Sequence, residues 1–354
     1  MEEILPAEIQ VREQDGDRTI GCRLYLQKSE RAFSASTDGT VRAWDAQQGV
    51  QLWATPAQGA LCDITVDPDL GLLFTCDITG RVTAWEKLSG QEVASFLTAS
   101  SGCRLLAYST EGQSALMVGT SGGALYTLTS PSLSQVSRQV VYDTFKIDPL
   151  IASPDKKWVF TATKENFDMS PKVFSSESLI CPSEDGSPLC QSVPVTGCHA
   201  AAFMPLEPAR IALIHSGEDW HSSTVSIFDI STKKSKYETS ISVQQVESFQ
   251  LATSRGSDVL LQTRGSDTLV VAMANTLRDS FRVVTASRDL SLRVLTWKKE
   301  RDRGLTLQSK FHLLGGSHSM SRGFTKVACD FVSIVASVQA VDGRDVLKAY
   351  SFNS

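Results

Sequence analysis

The chain has 354 residues, of which 42% are hydrophobic and 21% charged, the mix of a folded globular protein with a sizeable core and no long disorder. A formal net charge of -5 supplies no basic field to neutralise a phosphate backbone, so nucleic acid is not an expected partner. No apolar run approaches the ~18 residues that cross a bilayer, and the acidic opening "MEEILPAEIQVREQDGDR" lacks a secretory h-region. These features predict no membrane partner and a cytoplasmic or nuclear location.

The first element is "AEIQVRE", residues 7–13, which alternates like an edge strand and is expected to complete the sheet formed by the last strands of the chain. This sets an organisation of residues 1–17 as an N-terminal segment with a closing strand and 18–354 as the main domain. Next comes "FSASTDGTVRAWDAQQGVQLW", residues 33–53: a strand, a turn at Asp38-Gly39, a second strand ending in Trp44-Asp45, and another turn. The same pattern returns in residues 73–96 with Trp85, 41 residues after Trp44. Leu128, Phe174 and Phe228 occupy the same position in looser copies, and Ala272, Leu295 and Tyr350 extend the series to eight candidate hairpins.

A period of ~40–45 residues with a Trp-Asp signature marks four-stranded propeller blades, each burying its faces only against its neighbours. The expected fold is therefore all-β, a WD-repeat β-propeller of seven to eight degenerate blades. Asp38, Trp44, Asp45, Trp85 and Phe228 read as structural residues: wedges between blades and carboxylates that fix turns. Only 23 residues separate Ala272 from Leu295, so one blade is expected to be compressed or defective there, with an unpaired strand edge.

Catalytic motifs are missing. No P-loop, dinucleotide fingerprint, H-E-x-x-H or G-x-S-x-G occurs, so no enzyme, catalytic residue or cofactor is predicted. His215, Asp219 and His221 share a loop, but none of the eight cysteines forms a C-x-x-C pair to support a metal site. His199 and His318 stand before inner strands and read as buttresses of the hairpins. The remaining function is surface recognition of a protein target through the loops of one propeller face. Phe167, Trp220, His221, Arg264 and Arg288 are the candidate partner-binding residues, since aromatic residues and arginine dominate binding hot spots.

The stretches "LMVGTSGGALYTLTSPSLSQVS", "ASPDKKWVFTAT", "FSSESLICPSEDGSPL", "FDISTKK" and "VLKAYSFNS" give the chain its family resemblance. It resembles the propeller of the F-box/WD-repeat-containing proteins from about Arg18 to Ser354. The resemblance implies a substrate receptor of an SCF-type E3 ubiquitin ligase, in which a helical F-box docks to the ligase adaptor and the propeller captures the target for ubiquitin-dependent degradation. An F-box needs about 40 helical residues, and fewer than 20 precede the first strand-like segment here. The expectation is target binding without ligase docking, the SCF adaptor being a partner only if an F-box lies upstream. The alternative is a WD-repeat scaffold in a complex unrelated to ubiquitin.

Overall fold

The computed structural model describes residues 7–11, 22–27, 31–45, 48, 50–67, 69–110, 112–166, 168–182, 188–203, 208–216, 223–241, 246–248, 269–275, 281–287, 291–300, 304–314, 321–329, 333–340 and 345–351. They divide between two compact units: residues 55–242, and residues 1–54 together with 243–354.

After β1 (Ala7–Val11) the strands fall into seven sheets among the described residues. The first holds β2 (Cys22–Gln27), β3 (Arg31–Ser36), β4 (Thr40–Asp45) and β5 (Val50–Pro56). The second holds β6 (Leu61–Asp67), β7 (Leu72–Asp77), β8 (Arg81–Glu86) and β9 (Glu92–Leu97). The third holds β10 (Gly102–Thr110), β11 (Gln113–Thr120), β12 (Ala124–Thr129) and β13 (Gln135–Val140). In the fourth, β14 (Leu150–Ala152), β15 (Trp158–Thr161) and β16 (Lys172–Ser175) are followed by helix α1 (Ser176–Ile180) and then β17 (Cys190–Ser192). The fifth holds β18 (Cys198–Phe203), β19 (Arg210–Ser216), β20 (Ser223–Asp229) and β21 (Lys234–Ile241).

The sixth sheet has five strands: β22 (Val246–Ser248), β23 (Leu269–Asn275), β24 (Phe281–Ser287), β25 (Ser291–Glu300) and β26 (Gly304–Leu314). The seventh joins β27 (Ser321–Cys329), β28 (Ser333–Ala340) and β29 (Asp345–Ser351) to β1, which runs antiparallel to β29 with Ala7 opposite Ser351. Six of these sheets are antiparallel and four-stranded and the sixth sheet contains four antiparallel strands, the architecture of WD-repeat propeller blades.

Trp44, Trp85, Leu128, Phe174, Phe228, Leu295 and Tyr350 all lie on the third strand of their sheet. Trp44, Trp85, Leu128, Phe174 and Phe228 are buried. In the unit of residues 55–242, Leu128, Phe174 and Phe228 stand in apolar layers between neighbouring sheets. One layer packs Phe74 and Val82 of the second sheet with Leu116 and Leu128 of the third, with Phe96 edge-on to Tyr126 at 6.0 Å.

Ala272 is the exception. It lies on β23, the first of four meandering strands, opposite Val284 of β24, and Leu295 lies two strands further on in the same sheet. The 23-residue interval is therefore the distance from first to third strand of one blade. The irregular blade falls where the spacing put it, but its character differs from the expectation. It keeps four antiparallel strands and gains a short fifth, β22, parallel to β23. Hydrophobic alternation is the same in first and third strands, so "LVVAMAN" could not be assigned by pattern alone.

Candidate functional site

The connection between the second and third strands is built the same way in sheet after sheet. Ten residues before the wedge a hydroxyl accepts the indole N–H: Ser34 Oγ from Trp44 at 2.9 Å and Thr75 Oγ1 from Trp85 at 2.8 Å. Eight residues before the wedge a short polar side chain caps the turn. Ser36 accepts from Asp38 N–H, Asp77 from the N–H groups of Thr79 and Arg81, Thr120 from Ala124 N–H and Asn166 from Asp168 N–H. One residue after the wedge an acid caps the next turn: Asp45 accepts Gln48 N–H, Glu86 accepts Ser89 N–H and Asp229 accepts from Ser231 and Thr232.

Asp38 also serves its turn, taking the Thr40 N–H and hydroxyl and pairing with Arg42 at 3.1 Å. Asp38 and Asp45 each accept a backbone N–H group of a turn. The Trp-bonded hydroxyls and the Asp77 cap escape a sequence reading because the residue type changes from copy to copy while the position does not.

Within the unit of residues 55–242 these turns are stitched to the connections that lead into the next sheet. Ile78 N–H donates to Ala60 O at 3.0 Å, and the Ser101 hydroxyl donates to Ile78 O. Thr98 donates both its N–H and its hydroxyl to Gly80 O, and Ser121 N–H donates to Ser101 O. Gly80 has φ of +91°, and a Cβ there would come within 2.7 Å of Ser100 O. The backbone of this face is fixed, and what varies is the side chain it presents.

Beneath the turns, an ion cluster ties together the entries to three successive sheets. Arg104 of β10 holds Asp148, just before β14, through Nε–Oδ1 and Nη2–Oδ2 bonds of 2.8 Å each. Its Nη1 lies 3.8 Å from Asp63 of β6, whose other oxygen accepts Leu105 N–H at 3.0 Å, and Lys164 stands 3.9 Å from Asp148. Burial pulls the Arg104 guanidinium toward deprotonation, but the two carboxylates outweigh it and raise its pKa further above the ordinary value. With its fork filled by Asp148 and Asp63, Arg104 locks strands and has no open pair of N–H groups for an incoming anion. No run of sequence marks this clamp, because its partners lie 41 and 44 residues away from Arg104.

The chain is similar to known proteins along almost its whole length. It is 29% identical over 364 residues to F-box/WD repeat-containing protein 12 of Homo sapiens, covering 94% of this chain and 77% of that one. The chain is a relative of the F-box/WD repeat-containing proteins. F-box/WD repeat-containing protein 15 of Mus musculus is 22% identical over 363 residues, covering 94% of this chain and 76% of the other. No protein-family model matches. Among solved structures, the computationally designed Ika8 protein aligns over 95% of this chain and 89% of its own with a TM-score of 0.55 at 15% identity, a likeness of fold alone.

In this F-box/WD repeat relative the five sequence-predicted partner-binding residues, Phe167, Trp220, His221, Arg264 and Arg288, lie outside the described residues. Their places in the repeat are still defined by counting. Phe167, His221 and Arg288 stand seven residues before Phe174, Phe228 and Leu295, and Trp220 stands eight before Phe228. In the second sheet the place seven before the wedge is Ile78, which sequence reasoning passed over. Arg264 falls in the chain between β22 and β23, apart from the second-to-third-strand connections. Among the described residues no group of three or more His, Cys, Asp or Glu side chains is arranged to hold a metal ion. The described cysteines, Cys62, Cys76, Cys181, Cys190 and Cys198, are in no disulfide with one another.

Proposed function

We propose that this chain is the target-binding part of a ubiquitin-ligase receptor, a propeller that captures a protein through its second-to-third-strand connections. The observation that carries the reading is the match along 94% of the chain to a protein named for its F-box and WD repeats. The repeat supports where to look. The position seven before the wedge holds Thr37, Ile78, Ser121, Phe167, His221 and Arg288 in successive sheets, varied in chemistry beside caps that recur in the first four sheets. Variation of side chain on a constant backbone is how one scaffold supports a specific surface.

Affinity purification with mass spectrometry tests this, comparing wild type with Trp220→Ala and Arg288→Ala. Loss of the same proteins from both variants is the expected result, and unchanged partner lists would overturn the face. Pull-down with purified ligase adaptor tests the receptor role separately. Targets retained without direct adaptor binding would mark a propeller that captures without delivering.

A further inference from the structure

We infer that Ile78 is an apolar anchor for an uncharged segment of a target protein that inserts an aliphatic or aromatic side chain against it. The inference rests on the reading that this face binds protein and names the chemistry of one part of it. Ile78 is 56% exposed at the tip of the β7–β8 turn. Its backbone has no freedom: Ala60 holds its N–H, the Ser101 hydroxyl holds its carbonyl, and Asp77 caps the turn through Thr79 and Arg81. The turn needs no apolar residue there, since Thr37 and Ser121 serve the same place in the first and third sheets. A rigid backbone that offers one large apolar side chain to solvent spends little ordering entropy on binding.

The surroundings select the partner's charge. The four segments stitched around Ile78 are "AQGA", "ITG", "TASS" and "SGG", residues 57–60, 78–80, 98–101 and 121–123, and none contains a charged residue. The charged residues that flank this turn in sequence are engaged, Asp77 on the turn and Arg81 on Glu92 at 3.1 Å. Across the corresponding connections of the fourth sheet stand Asp143, Lys146, Asp148, Lys164, Glu165 and Asp168. A charged residue facing Ile78 would lose hydration with nothing to pair with it, whereas an apolar one loses only unfavourable water contact.

The test selects phage-displayed random 12-residue peptides on the full-length chain and measures the winners by fluorescence anisotropy. Expected are peptides sharing an aliphatic or aromatic residue among uncharged neighbours, weakened about tenfold or more by Ile78→Asp. The control is Leu88→Asp, an equally exposed site on the β8–β9 turn at the opposite end of the sheet, which should leave binding unchanged. Both side chains are exposed, so thermal unfolding should be unaltered in each variant. Equal loss with Leu88→Asp, a charged consensus, or no selected peptide would overturn the inference. So would a dimer in sedimentation that Ile78→Asp abolishes, since the occupant would then be a second copy. Peptides lost on Arg288→Ala but not on Ile78→Asp would sink the anchor and keep the binding face, whereas peptides indifferent to every variant of that face would sink the functional reading itself.

Discussion

The second and fourth sheets solve one problem in two ways. In the second, strands of six or seven residues are closed by short turns, Trp85 is bonded to Thr75, and Asp77 and Glu86 cap the turns on either side. In the fourth, strands shrink to three or four residues and Phe174 has no polar handle. Other contacts replace the missing ones. Helix α1 drops Leu179 into the layer against Met117 and Phe174, and its carbonyl accepts the Ser137 hydroxyl at 3.0 Å. Tyr142 donates to Thr161 O at 2.7 Å, and Lys172 lies over its ring while donating to Val141 O. A blade that loses the repeat's own hydrogen bonds keeps its place by long-range contacts, so degeneracy of sequence is not degeneracy of packing.

Seven variants would break or sharpen this comparison, each read by urea unfolding followed by circular dichroism. Trp85→Ala should cost about 3–5 kcal/mol and Phe174→Ala a similar amount, since both side chains are buried; Trp85→Phe should cost about 1–2 kcal/mol, the price of leaving Thr75 without the indole N–H. Arg104→Met should cost about 3 kcal/mol because it removes the cation shared by two carboxylates, and an effect near zero would show that the clamp holds nothing. Asp77→Ala should cost about 1–3 kcal/mol against under about 1 kcal/mol for Asn166→Ala, because Asp77 serves several donors and Asn166 one. The smallest effect is in pH dependence. Burial raises the Tyr142 pKa above the ordinary value, so its contribution is complete below about pH 10 and is lost as the pH climbs through the folded-state value. Tyr142→Phe should flatten that alkaline decline.

The wedges were legible because a large apolar residue recurs at nearly constant spacing. Reading 23 residues from Ala272 to Leu295 as compression failed, because alternation does not distinguish an inner strand from a third one. With Ala272 set aside, 67 residues separate Phe228 from Leu295, the longest interval in the chain and the place where β22 is added. The turn-cap position was hidden by its tolerance for Ser, Asp, Thr and Asn. Once known, it can be counted onward to Ser287 and Asp342, eight residues before Leu295 and Tyr350. Ile78 becomes visible by the same count, but its exposure and its uncharged surroundings depend on which connections the fold stitches together. The Arg104 clamp could not be read at all, since it joins residues that share no period.

The pairing of β1 with β29 has a consequence in time. Ala7 and Ser351 lie far apart along the chain, so the seventh sheet cannot be finished until the ribosome has made the whole stretch from β1 to β29. At ~5–20 residues per second, β1 waits on the order of half a minute for its partner. Through that interval it is a bare strand with both edges open to any other chain, and completing the last blade is a competition between synthesis and capture.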